Sequence, residues 1–153
     1  MTRRKIGLSE MGGTPVKSLP DTLCWSENLV AHFPHPLQGE LFRNGQTILL
    51  TAPFVFQDGD LTVEVPDGFS SDYNSVPRGL WNIFPPWMYP EAGVVHDFLY
   101  RYNGVTRAEA DRIHRRILEL GGCSWIKRQA AYLALRAAGW VPWGRYRRAE
   151  TSS

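Results

Sequence analysis

The sequence predicts an α+β domain: a small antiparallel β-meander followed by a three-helix region that carries a His-Asp-bearing helix pair. Three observations carry this. The first half alternates in hydrophobicity between turn signals, helical periodicity begins abruptly at Glu91, and caps and glycine stops then divide the helical part at short intervals. A chain of 153 residues fits one domain able to bury a core. Its 43% hydrophobic and 21% charged content excludes a disordered chain and a membrane-spanning one. A net charge of +2 makes no case for nucleic acid as a whole-surface partner, and no sequence-specific nucleic-acid binding is expected.

Residues 1–20 hold Gly12-Gly13, Pro15 and Pro20 without periodicity and read as a flexible arm. Residues 21–143 make up the domain, and 144–153 a basic tail. Asn44-Gly45 signals a two-residue hairpin between Glu40-Leu41-Phe42 and a strand that starts at Thr47 and continues through Pro53 to Phe56. Pro53 marks an edge or bulge in that strand. Gln57 to Asp60 is a second turn, and Leu61-Thr-Val-Glu-Val65 alternates as a half-buried strand. The loop from Pro66 to Ser75 is polar, and Ser75 is placed to cap a short helix that starts near Val76-Pro77 and stops at Pro85-Pro86.

Three longer helices follow. The first runs roughly over 90–102 and breaks at Asn103-Gly104. The second covers 107–120, opened by a Thr106/Glu109 capping box and closed by Gly121-Gly122. The third covers 125–138, with Ser124 as its cap and Gly139 as its stop. The tail from Trp140 is aromatic and basic. Its Trp140, Trp143, Arg145, Arg147 and Arg148 suit a lipid headgroup region or an array of phosphates, or else they belong to ordinary amphipathic packing with a solvated end.

No apolar run follows the basic N-terminus and none reaches 18 residues, so neither a signal peptide nor a membrane-spanning helix is expected. Cys24 and Cys123 fit no metal-ligand spacing, and a reducing cytoplasm is the expected place of synthesis, with one long-range disulfide as the minor reading.

The chemistry-bearing stretch is Glu91-Ala-Gly-Val-Val-His96-Asp97-Phe-Leu-Tyr100-Arg101. His96 and Tyr100 are four apart and share a helix face. Asp97 is turned by about 100° from His96, which separates the two into different tasks rather than one chelate. Asp111 sits early on the next helix. Helices joined by a short loop pack as antiparallel neighbours, so Asp111 can reach His96. A carboxylate on one imidazole nitrogen fixes the tautomer and supports the imidazolium, which equips a general base. The same residues also suit a buried polar network that only locks two helices together. His114 reads as a helix-surface residue, and His32 and His35 as exposed loop histidines. Ser71 or Ser75 with His96 and Asp72 imitates a nucleophilic triad, but no G-x-S-x-G elbow accompanies it.

Three stretches carry a resemblance. Gly68-Phe-Ser-Ser-Asp72-Tyr-Asn-Ser-Val-Pro-Arg78, His96-Asp-Phe-Leu-Tyr-Arg101 and Arg107-Ala-Glu-Ala-Asp111-Arg closely resemble, in that order, an uncharacterised domain family of tailed phages and prophages. The likeness covers roughly residues 45–140. More distantly, His-Asp-x-x-Tyr on one helix with Ala-Asp on the next is similar to the centre of secreted phospholipases of the A-two type and of the parvovirus capsid phospholipase domain. That second resemblance implies roles. His96 would be the base that deprotonates water, Asp111 would orient it, Tyr100 would steady Asp111, and Asp97 would bind calcium. The glycine-rich calcium loop and the paired cysteines of those enzymes are missing, and Asp67, Asp72 and the carbonyls of their loop would have to supply the oxygen ligands of the missing calcium loop.

Two readings therefore stand. One is a phage-encoded, calcium-dependent lipid esterase acting at the cell envelope in lysis or genome entry, with phospholipid as its partner. The other is a non-enzymatic virion or assembly protein, partnered by other virion proteins, whose His-Asp-Tyr-Asp network is structural.

Overall fold

The computed structural model describes residues 4–6, 31–42, 47–72, 88–102 and 104–151. In chain order its elements are β1 (Arg4–Ile6), β2 (Gly39–Leu41), β3 (Ile48–Leu50), β4 (Phe54–Asp58), β5 (Leu61–Val65), β6 (Ser70–Ser71), α1 (Pro90–Arg101), α2 (Arg107–Leu120), α3 (Trp125–Ala138) and α4 (Trp140–Thr151). The class is α+β, strands first and helices after.

The strands make two small sheets rather than one meander. One has the order β1-β5-β4 and the other β2-β3-β6. The expected strand through Pro53 is interrupted at Thr51–Pro53, so that β3 and β4 fall in different sheets. A proline without an N–H is a natural place for a ladder to end. β4 and β5 form an antiparallel hairpin paired from Phe54↔Val65 to Asp58↔Leu61, turned by Gly59 at φ 57°, a conformation that suits glycine. Period two then puts Phe54, Phe56, Val63 and Val65 in the core. β2 and β3 pair antiparallel as the hairpin signal predicts, while Asn44-Gly45 itself lies outside the described residues. Arg4–Ile6, assigned to the arm by composition, instead forms a strand parallel to β5 and buries Ile6. The expected helix after Ser75 also lies outside the described residues, as does Cys24.

α1 is the central element. Every residue from Val94 to Tyr100 is buried, and it packs against β5, β6, α2 and α4. A helix covered on all sides has no solvent face to which it can turn a polar residue, so His96 and Asp97 are buried together with Val95 and Leu99. α2 spans the predicted residues, with Thr106 Oγ1 accepting from the Glu109 N–H at 3.3 Å and Gly121 at its end. α3 also spans the predicted residues, but its N-cap Ser124 makes no side-chain capping bond.

A fourth helix replaces the expected tail. Trp140 to Thr151 is helical, and Pro142 is accommodated because the first helical turn needs no backbone donors. Arg116 joins Asp58 of β4 at 2.9 Å to Glu119 at 2.7 Å, and Glu119 in turn meets Arg128 of α3 at 2.6 Å. These half-exposed ion pairs help set how the first sheet, α2 and α3 meet and contribute little stability each. Among the described residues no helix is long and apolar enough to cross a membrane.

Candidate active site

The α1–α2 pair brings together three of the residues that the sequence nominates. His96 Nε2 lies 3.0 Å from Asp111 Oδ1, and the Tyr100 hydroxyl donates to the same oxygen at 2.6 Å. His96 and Asp111 are both 0% exposed, and the Tyr100 ring lies 4.1 Å from the imidazole, centroid to centroid. A carboxylate only accepts hydrogen bonds, so Nε2 carries the proton between them. In the neutral ring this leaves Nδ1 as a bare acceptor. Nδ1 is buried and has no hydrogen-bond partner among the described residues. An unmet buried acceptor costs about 1–3 kcal/mol, so it calls for an explanation.

Arg136, near the end of α3, completes the cluster. Its Nη1 donates to Asp111 Oδ2 at 3.1 Å from a side chain 35% exposed. Burial alone would raise the Asp111 pKa, but the bonds from His96, Tyr100 and Arg136 outweigh it and hold the carboxyl below its ordinary 3.8. Asp111 is therefore a buried anion with a guanidinium as counter-charge. Arg107 sets where that guanidinium arrives: its Nη1 donates to the Leu135 and Arg136 carbonyls at 3.2 and 3.1 Å, tying the end of α3 to the start of α2. Burial and the Asp111 bond push the Tyr100 hydroxyl well above its usual pKa, so it remains a donor.

Several expectations need correction. His114 is buried, not on the helix surface: its ring meets His96 edge to face at 4.9 Å, and its own Nδ1 is buried without a partner among the described residues. Burial first, then the neighbouring His96, lowers its pKa to about 3, against the pull of Asp111. His32 is half-buried and bridged to Gln57 rather than exposed. Trp143, expected at an interface, is half-buried and packs edge-on against Tyr100 at 5.1 Å. Trp140 and Arg145 are exposed, and nothing is described of the Arg147 and Arg148 side chains.

Asp97 points away from His96, as helix geometry requires. It is buried and accepts from the Ser71 hydroxyl at 2.5 Å. Ser71 is thus engaged with Asp97 and not with His96, which removes it as the nucleophile of such a triad, while Ser75 lies outside the described residues. Arg101 reaches the same strand: its Nη1 donates to the Ser70 carbonyl at 2.9 Å, and its guanidinium lies 5.0 Å from the Phe69 ring. The Phe69–Asp72 and His96–Arg101 stretches therefore meet. Asp72 is half-buried next to them. Calcium takes six to eight oxygens, yet among the described residues no group of three or more His, Cys, Asp or Glu side chains is placed to hold a metal.

Gly139 shows how tightly the cluster is enclosed. A Cβ there would lie 2.5 Å from the Tyr100 hydroxyl oxygen. Gly139→Ala should displace Tyr100 from Asp111 and destabilise the fold by about 1–3 kcal/mol, read as a lower midpoint in urea.

Arg136 and His114 are the members that sequence reading missed. In the sequence Arg136 is one of three basic residues on α3, with Lys127 and Arg128, and only the packing of α3 across α2 singles it out. The spacing of His114, three residues after Asp111, was the available signal.

Comparison with known proteins bears on the same stretch. The sequence model of a protein family described as a protein of unknown function (DUF1353) matches residues 48–135, which hold His96, Tyr100 and Asp111. No curated protein and no solved structure matches the chain.

Proposed function

The chain belongs to the DUF1353 family, and from that premise we propose that this member is a small, phage-encoded lipid esterase, phospholipase-like in its chemistry, with His96 as general base. The observation that supports this reading most is that Nδ1 of His96 has no partner among the described residues, opposite an Nε2 tied to Asp111. A ring anchored at one nitrogen and bare at the other is prepared to take a proton.

In the proposed step Nδ1 removes a proton from a water molecule as its oxygen attacks the ester carbonyl carbon. The carbonyl π pair moves to oxygen. When the tetrahedral species collapses, the C–O bond to the leaving alcohol breaks, and the alkoxide recovers the proton from Nδ1–H. Asp111 supports the transient imidazolium, Tyr100 fixes Asp111, and Arg136 keeps Asp111 ionised. Since His96 is 0% exposed, the cover over it must open for lipid to enter. Calcium, with Asp97 and Asp72 as its carboxylates, belongs to the proposal as a tested variable, and no step depends on it here. Action at the cell envelope in lysis or genome entry is the setting we propose.

The complete burial of His96 favours a second reading, in which the network is a structural lock in a virion or assembly protein. The test is hydrolysis of a short-chain phosphatidylcholine below its micelle concentration, with calcium and with chelator, by wild type and His96→Gln. The esterase reading expects wild-type turnover that falls at least 1,000-fold in the variant, with the thermal midpoint kept within a few degrees. No turnover by wild type under either condition supports the structural lock.

A further inference from the structure

α3 faces two ways. It buries Ala131 and Leu135 against the rest of the molecule, while Ile126 and Leu133, two turns apart and on the other side, are open to solvent. With Trp125 before them and Trp140 and Val141 after, five large apolar side chains between 41% and 74% exposed lie along 17 residues of chain. Exposed Ala130 and Ala137 on α3 add no polar break. A surface helix normally turns charge outward, so an outward apolar run of this length marks a contact face.

The charge around it indicates what it touches. From Leu120 to Ala149 the chain contains no Asp or Glu and six Lys or Arg. Two of these are engaged inward, Arg128 with Glu119 and Arg136 with Asp111. Lys127 and Arg145 are exposed. We propose that the outer face of α3, continued by Trp140 and Val141, docks on an anionic phospholipid surface. Indole rings settle at the headgroup level, the aliphatic side chains enter the acyl boundary, and the basic residues meet lipid phosphates. A second copy of the chain fits poorly, because a two-fold contact through this face would set basic residues against basic residues without a carboxylate from this segment to separate them. This inference adds a contact face to the esterase reading, and it is tested by binding alone, so either can fail without the other.

Co-sedimentation with vesicles tests it, using phosphatidylcholine alone and phosphatidylcholine with about 30% phosphatidylglycerol to supply the anionic surface. The expected result is binding to the anionic vesicles, weakened by added salt, and at least tenfold weaker for both Ile126→Glu and Leu133→Glu. Circular dichroism and the thermal midpoint should show both variants folded, since each side chain is mostly exposed. Two outcomes overturn the proposal: equal binding by wild type and both folded variants, or no vesicle binding by a wild type that sediments as a dimer the variants cannot form. Failure of wild type to bind either vesicle as a monomer overturns it as well.

Discussion

Asp111→Ala should destabilise the protein by about 3–5 kcal/mol, the largest loss expected from any single replacement in the cluster. Asp111 is 0% exposed and accepts from His96, Tyr100 and Arg136. Removing it leaves two buried donors without an acceptor and a guanidinium that must turn towards water. Because Arg136 is 35% exposed, that last rearrangement is cheap, and most of the loss comes from His96 and Tyr100. For a chain of this size the expected fall in thermal midpoint is on the order of 10 °C. Asp111→Asn keeps one acceptor oxygen for His96 and Tyr100 and should lose less, about 1–3 kcal/mol. Urea unfolding of both variants checks the ordering. Equal, small losses in the two would mean that the hydrogen bonds to Asp111 do not hold α1 against α2.

The second large effect is on the acid side. In the folded protein His114 has a pKa lowered to about 3, chiefly by burial, while in the unfolded chain it takes a proton near the ordinary 6.5. Between those values the unfolded state binds more protons than the native state, so stability must fall as pH drops. Its contribution is complete above about pH 6.5 and is lost progressively towards pH 3, to a ceiling of about 4–5 kcal/mol. The depressed Asp111 acts in the same direction but only below its ordinary 3.8, so an onset near pH 6.5 separates a histidine from Asp111, and replacing His114 assigns it. Thermal midpoints from pH 8 to pH 4 should decline from about pH 6.5 in wild type and stay flatter in His114→Gln. Parallel curves would show that His114 titrates in the folded protein as it does in the unfolded one.

Much of this was legible in the sequence, where local rules operate. The α2 boundaries follow from Thr106 and Gly121, those of α3 from its periodicity and Gly139, and the β2–β3 pairing from the Asn-Gly signal. The meeting of His96 and Asp111 follows from helix spacing and a short connection. What sequence reading missed is set by distant pairing. Nothing local tells Arg4–Ile6 to lie parallel to β5, or assigns β3 and β4 to different sheets. Pro142 and Gly144 look like helix breakers until Pro142 is seen in a first turn, where its missing N–H is not needed. His114 looked like a surface residue because it is polar, yet α1 is enclosed on every side and its His96 ring packs against whatever α2 presents three residues after Asp111. Trp143 was assigned to an interface on composition, but the packing of α4 on α1 turns it onto Tyr100.

Under the proposed esterase function a lipid ester reaches Nδ1 of His96. The most direct measurement is the imidazole nitrogen NMR spectrum, with the His96 signals assigned by His96→Gln, recorded with and without a saturating short-chain ether analogue that cannot be hydrolysed. Nε2 should be protonated and Nδ1 bare in the free protein, and the Nδ1 signal should shift clearly when the analogue binds. His96 signals that are unchanged at saturation, or a proton resting on Nδ1 in the free protein, would contradict the esterase function.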